Sequence, residues 1–251
     1  MILQRFATAV KKQDWMIVLI EFLLVVFGVL IALEVDRYNE EQNDRAEEVR
    51  LLKVVQQEMQ QDLLDIKTIT TSLNEVYEYS QQAINIMNTT GCLVDCWTNL
   101  VSLFHSTQWF SVTMNSNAYE EISRLGLPKN SALKDTLRSY YEMNNNRIIV
   151  GGELPEYRKL IRSLIPPDIQ RTMWANCFET RGRHQTLIND CPSTITPERA
   201  KEVVTLIQNT ENVKTTLTFW MSNLSILILT LPGQSMGADD TIVALEEEIN
   251  R

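Results

Sequence analysis

The longest apolar run lies near the N-terminus. It reads Trp15-Met-Ile-Val-Leu-Ile-Glu21-Phe-Leu-Leu-Val-Val-Phe-Gly28-Val-Leu-Ile-Ala-Leu33, 19 residues with one charge. A bilayer core of about 30 Å takes roughly 20 helical residues, so the run predicts a transmembrane helix over 15–35. Trp15 and Tyr38 fall where interfacial aromatics lie. A signal peptide is the rival reading, but no small-residue cleavage site follows Leu33; Glu34-Val-Asp-Arg-Tyr comes next. No glycine or proline occurs between Gly28 and Gly91. The span is therefore expected to continue into a long water-side helix, first as a charged stalk over 36–50 that lacks an apolar face.

From Leu52 the apolar spacing becomes heptad-like. Leu52, Met59, Ile66, Leu73, Ser80 and Met87 hold one core position, and Val55, Asp62, Ile69, Val76 and Ala83 the other. That pattern predicts a helix with one narrow buried seam. Asp62 and Ser80 break it; they either specify register or, as the favoured reading, mark places where the seam is wet or its partner helix ends. Thr68-Ile-Thr-Thr-Ser72 has poor helix propensity and predicts a bend.

The later segments supply helices to cover the seam. Asn117–Leu125 is a short helix stopped by Gly126. Ser131 caps a helix to about Ile149, followed by a turn at Gly151-Gly152. Leu154–Leu164 is another helix, and Pro166-Pro167 opens the next. Thr196-Pro197-Glu198 starts a helix that the pattern carries to Leu231, with a stop at Pro232-Gly233. Its last part, Phe219–Leu231, reads either as a second span or as a core helix. Ser222, Asn223, Ser225 and Thr230 make it short for a bilayer and favour the core helix. A flexible tail with a short acidic helix completes the chain over 232–251. The fold class is all-α, with a helical bundle over 51–231.

The span also carries a resemblance. Glu21-Phe-Leu-Leu-Val-Val-Phe-Gly-Val-Leu-Ile-Ala-Leu33 followed by Asp36-Arg-Tyr-Asn-Glu40 is similar to the start of an uncharacterised family of bacterial single-span proteins. That family has a Glu opening the span, an internal Gly, an Ile-Ala-Leu exit and an aromatic-Asn-Glu, where Tyr38 stands in place of the usual Trp. Asn117-Ala-Tyr-Glu-Glu-Ile-Ser-Arg-Leu-Gly126 and Leu133–Tyr141 resemble its middle region. The resemblance covers about half the chain. It implies an all-helical extracytoplasmic domain at a bacterial inner membrane and carries no activity.

Charge sets the partners. The net charge is −9, which repels phosphate backbones, so nucleic acid is not an expected partner. Anionic lipid is repelled too, which leaves attachment to the apolar span. Arg5, Lys11 and Lys12 precede the span; Arg37, Arg45, Arg50 and Lys53 follow it. This near balance, with a short basic tail first, places residues 1–14 in the cytoplasm and the main domain in the periplasm. Glu21 lies too deep to escape the apolar zone, since 12 residues separate it from Glu34. It is a candidate intramembrane contact together with Gly28.

The 4 cysteines are even in number, which in an extracytoplasmic domain suggests two disulfides. Cys92–Cys96 and Cys177–Cys191 are favoured because each pair brackets a local loop poor in regular structure; cross-pairing stays open. A zinc site is the alternative, although neither pair is C-x₂-C. The 2 histidines lie in candidate ligand segments: His105 with Trp109 in an aromatic run, and His184 with Arg181 and Arg183 in a basic loop. No nucleophile-elbow, zincin, phosphate-loop or dinucleotide pattern occurs. The chain is read as a non-enzyme without cofactors. It is expected to be an accessory subunit or scaffold whose partners are the bilayer and other membrane subunits or a second copy of itself. The alternatives are an extracytoplasmic ligand sensor signalling through a partner and, further off, a metal-dependent hydrolase.

Overall fold

A computed structural model describes residues 15–93, 95–110, 115–151, 154–181, 184–188 and 190–251, without the side chains of 144–151, 181 and 184. The expected cytoplasmic tail lies outside the described residues, as does Gly152 of the predicted turn. The protein is all-α. Its elements are α1 (Trp15–Met87), α2 (Cys96–His105), α3 (Asn117–Arg124), α4 (Ser131–Gly151), α5 (Glu156–Leu164) and α6 (Pro167–Asn176). A hairpin of β1 (Phe178–Arg181) and β2 (His184–Leu187) follows, then α7 (Pro197–Asn209) and α8 (Val213–Ile249). The chain divides into two units, up to Leu52 and Lys53–Arg251, with α1 contributing to both.

In the first unit α1 carries the apolar span, whose side chains are almost all exposed, Trp15, Phe22, Leu24, Phe27 and Ile31 among them. The stalk is helical as expected. Arg37 pairs with Glu34 and Arg50 with Glu47, each one turn apart on the solvated surface.

In the second unit the heptad seam is the buried face of α1. Val55, Met59, Ile66, Leu73, Val76 and Ala83 are buried, while Ile69 and Met87 are half-buried. Asp62 and Ser80 are buried as well, which corrects the wet-seam expectation. Ser80 Oγ donates to Val76 O at 2.7 Å, and Asp62 accepts from the chain entering α3, as described below. The helix is unbroken through 68–72. The hydroxyls of Thr68, Thr70 and Thr71 each donate to the carbonyl one turn back, which satisfies them inside a continuous helix.

Helices α4 and α5 pack on α8, and α2 packs on α7. The apolar stripe of α8 toward this core is Leu217, Trp220, Leu224, Leu227 and Leu231. Two boundaries differ from expectation. The helix begun at Pro197 breaks at Asn212, whose φ of 67° is left-handed, a conformation Asn tolerates better than most residues. The chain then does not stop at Pro232-Gly233. Helix α8 passes through Pro232 and includes the supposed flexible tail. Pro232 points outward, while Leu231 before it and Gln234, Ala238, Thr241 and Leu245 after it are buried. Packing on both sides outweighs the lost hydrogen bond.

Cap chemistry explains the other boundaries. Thr196 Oγ1 accepts from Arg199 N at 3.3 Å, with Pro197 first in α7. For α4 the cap is Asn130 rather than Ser131, its Oδ1 accepting from Ala132 N and Leu133 N. Gly126, with φ 75°, ends α3.

Leu73 is 1% exposed and Leu64 is 60% exposed on the same helix. Leu73→Ala is expected to lower unfolding free energy by about 2–5 kcal/mol. Leu64→Ala should shift it by no more than about 0.5 kcal/mol. Denaturant titration of the two variants checks the assignment of the buried face.

Candidate functional site

The polar chemistry of the second unit gathers around α2. Asp95 starts this helix: its Oδ1 accepts from Thr98 N at 2.8 Å and its Oδ2 from Thr98 Oγ1 at 2.7 Å. Those bonds, the hydroxyl first, hold the Asp95 carboxyl below the usual carboxylate range. The far end of α2 is buried from Leu103 to Gln108, so its terminal carbonyls need partners from elsewhere.

Helix α5 supplies them. Arg158 and Arg162 lie one turn apart on it. Arg158 Nη1 donates to Thr107 O at 2.7 Å and to Gln108 Oε1 at 3.4 Å. Arg162 Nε donates to Thr107 Oγ1 at 2.8 Å and its Nη2 to Phe104 O at 3.4 Å. The Arg162 guanidinium also sits 3.2 Å over the Phe104 ring and 4.9 Å from Trp174, a cation–π arrangement. Burial, then the neighbouring Arg158 charge, push Arg162 down to about 8. Burial alone pushes Arg158 down. Two cations at the negative end of a helix offset part of that loss. Tyr157 Oη meets Ser106 Oγ at 2.8 Å and Trp220 Nε1 donates to Ser106 O at 2.9 Å.

His105 is in this hub, not at a surface. It is 0% exposed, and its Nε2 bonds Ile188 O at 3.1 Å. Its ring lies 4.8 Å from Tyr79 and 5.1 Å from Phe178. Nδ1 meets no donor among the described residues. Burial lowers its pKa to about 4, against a smaller upward pull from the Ile188 carbonyl and with a further downward push from Arg162. The ring is neutral and donates from Nε2. The residues flanking the basic loop reach this hub through Ile188 and Phe178. Trp109 is half-buried against the core. Arg183 lies outside the described residues, and so do the side chains of Arg181 and His184.

The cysteines pair as expected, Cys92 with Cys96 and Cys177 with Cys191. The loop held by the second pair is an antiparallel hairpin with Phe178 opposite Leu187, not irregular chain. Trp97 Nε1 donates to Cys191 O at 3.0 Å, which ties the two bridges together.

In the first unit Glu21 is half-buried along its own helix, with Oε2 shielded and lacking a hydrogen-bond partner among the described residues. Gly28 faces open space. A cleft of about 420 Å³ lies between α4 and α8, lined in part by Asp135, Tyr140, Gln234 and Asp240. Sequence reading passed over both this cleft and the arginine pair. The available signal for the pair was Tyr157-Arg-x-x-Ile161-Arg, two cations on the polar edge of an amphipathic helix. Among the described residues no three of His, Cys, Asp and Glu come together as a metal set. No family model, curated protein or solved structure matches the chain.

Buried neutral, His105 stabilises the fold fully above its unfolded pKa of about 6.5. That stability is lost as pH falls toward the folded value of about 4. The loss from this one ring is about 3 kcal/mol. Stability of wild type and His105→Gln, measured by chemical unfolding between pH 7 and 4, should differ less at the acid end, because carboxylate titration is common to both.

Closing a loop of about 15 residues stabilises by about 3 kcal/mol and one of about five by about 2 kcal/mol. Replacing Cys177 and Cys191 by Ala is therefore expected to lower stability more than replacing Cys92 and Cys96. Equal losses would show that the hairpin is held by its hydrogen bonds and packing instead.

Proposed function

We propose that the protein is a bilayer-anchored interaction protein, an accessory subunit or scaffold of a bacterial inner-membrane complex. In this reading the N-terminus is cytoplasmic and the second unit lies in the periplasm. The observation that carries it is the span. The apolar stretch of α1 is long enough to cross a bilayer and none of it is buried within the protein. A stretch of that length left in water would expose far more apolar surface than soluble chains tolerate. Two cysteine pairs fit an oxidising compartment. The resemblance to bacterial single-span proteins fits the same location.

The deepest polar chemistry of the second unit serves helix ends rather than a reacting centre. Arg158, Arg162 and His105 are all engaged with backbone carbonyls. That supports interaction over catalysis. The cleft between α4 and α8 favours a second reading, a ligand sensor, in which a small molecule in the cleft changes how these helices meet a partner.

Membranes from the native host, solubilised in mild detergent with the protein tagged at its C-terminus, test the proposal. Other membrane subunits, or further copies of the chain, should copurify in stoichiometric amounts, as identified by mass spectrometry and sizing. A monodisperse single copy would end the scaffold reading, and a small molecule retained with it would establish the sensor.

A further inference from the structure

The arginine pair at the end of α2 brings more positive charge than that helix end can offset. A helix C-terminus presents about half a negative charge. Arg158 and Arg162 set two guanidinium groups against it from one turn of α5. Among the described residues neither is paired with an Asp or Glu. Only the Tyr157 phenol pulls Arg162 upward, and no group does so for Arg158. The chain has 32 acidic residues against 23 basic ones, so a carboxylate partner was easy to supply and is missing here.

The hydrogen bonds show the same deficit. Arg158 donates through Nη1, and Arg162 through Nε and Nη2. Arg158 Nε and Nη2 and Arg162 Nη1 have no acceptor among the described residues. Both side chains are half-buried, and these three nitrogens are not among the buried atoms lacking a partner, so solvent reaches them. Beside them Gln108, 3% exposed, accepts from Arg158 through Oε1, while its Nε2 is a buried donor without an acceptor. Capping the end of α2 accounts for the bonds to Thr107 O and Phe104 O. It does not account for the second charge or for the surplus of donors, which together call for an anionic acceptor.

We infer that Arg158 and Arg162 form a binding site for a phosphate group, held by the outward N–H groups of both guanidiniums with Gln108 at its inner edge. A guanidinium offers its N–H groups as a planar fork that matches two oxygens of one oxyanion. Phosphate matches the charge as well: a phosphate monoester carries about 1.5–2 negative charges at neutral pH, near the surplus left once the helix end has offset its share. The donors are also held in place beforehand, because Arg162 lies 3.2 Å over the Phe104 ring and both side chains are tied to Thr107, which lowers the cost of binding. The aromatic segment Phe104–Phe110 thus supplies Thr107 and Gln108 to the wall of the site. The inference needs neither the span nor a partner protein, and stands apart from the interaction reading.

Calorimetric titration of the full chain in nonionic detergent with inorganic phosphate, against chloride at equal ionic strength, should show saturable binding at one site per chain. Arg158→Gln should weaken it by about tenfold or more, the loss expected of one charge-assisted bond. Arg138→Gln, on an exposed arginine of α4, should leave it unchanged. Arg158→Lys keeps the charge but not the fork and should fall between; it carries the test if circular dichroism shows Arg158→Gln unfolded. Two sources of phosphate are separated in nanodiscs. Loss of phosphate binding when phosphatidylglycerol is added to phosphatidylcholine marks an anionic lipid headgroup as the natural occupant, and unchanged binding marks a soluble anion. No saturable binding of phosphate overturns the inference. So does equal affinity in the wild type and the folded Arg158 variant, since the anion is then held elsewhere.

Discussion

Short helices packed end-on into a bundle must have their terminal N–H and C=O groups satisfied by somebody else's side chain, and the second unit is organised around that need. A buried end lacking partners leaves several backbone groups desolvated, each worth about 1–3 kcal/mol. Three helix ends are met by side chains from elements remote in sequence, and of these the end of α2 is fully buried. Glu58 Oε2 accepts from Ala118 N at 3.0 Å and Asp62 Oδ1 from Asn115 N at 3.3 Å, at the start of α3. Arg158 and Arg162 serve the end of α2. From α7, Gln208 Nε2 reaches Ile86 O at 2.8 Å, Thr89 O at 3.0 Å and Gly91 O at 2.9 Å, at the end of α1. The signs follow the helix dipole, with acids at an N-terminus and guanidinium groups at a C-terminus. Each charged pair is spaced one turn apart, so one helix face delivers both side chains to one end.

These caps also fix which helices can be neighbours. An apolar seam such as that of α1 is tolerant: many helices of suitable size could cover it. The placement of Asp62 in that seam is not tolerant, because a buried carboxylate demands donors at one point along the rod face. The α2 hub works the same way. His105, Tyr157 and Trp220 each spend a polar atom on a backbone or hydroxyl partner contributed by another element. Apolar burial supplies the driving force, and the polar contacts choose one arrangement among those it permits.

The contrast bears on what the sequence could reveal. Periodicity found the span, the long helix, the buried face of α1 and most helix starts, because those depend on residues close together in the chain. Local chemistry was also enough for the Thr196 cap and the Gly126 stop. It failed where the deciding partner was distant. Asp62 looked like a fault in the seam until Asn115 was placed beside it. Pro232-Gly233 looked like a stop, yet Leu231 and Gln234 are buried on either side. The hairpin between Cys177 and Cys191 was missed because its strands are four residues each, too short for alternation to register. His105 shows the same limit for sites. An aromatic, histidine-bearing segment reads equally well as a ligand contact and as a core element, and only the Ile188 carbonyl decides it.

That leaves the question of where a chain with so few reactive groups at its surface meets other molecules. In an acidic protein every solvated face repels a like copy, and at an ionic strength near 0.15 M that repulsion reaches about 8 Å. Acids are sparse along the apolar stretch of α1, where Glu21 stands alone among 19 residues, and absent from α8 between Lys214 and Asp239. The first of these is apolar all round apart from Glu21, and long enough to cross a bilayer. The second exposes Phe219, Ile226, Leu229 and Met236 on one side while its other side is buried in the core, and by length and composition it too could cross a bilayer. The two helices thus differ in the width of their exposed apolar faces, all round in α1 and one-sided in α8.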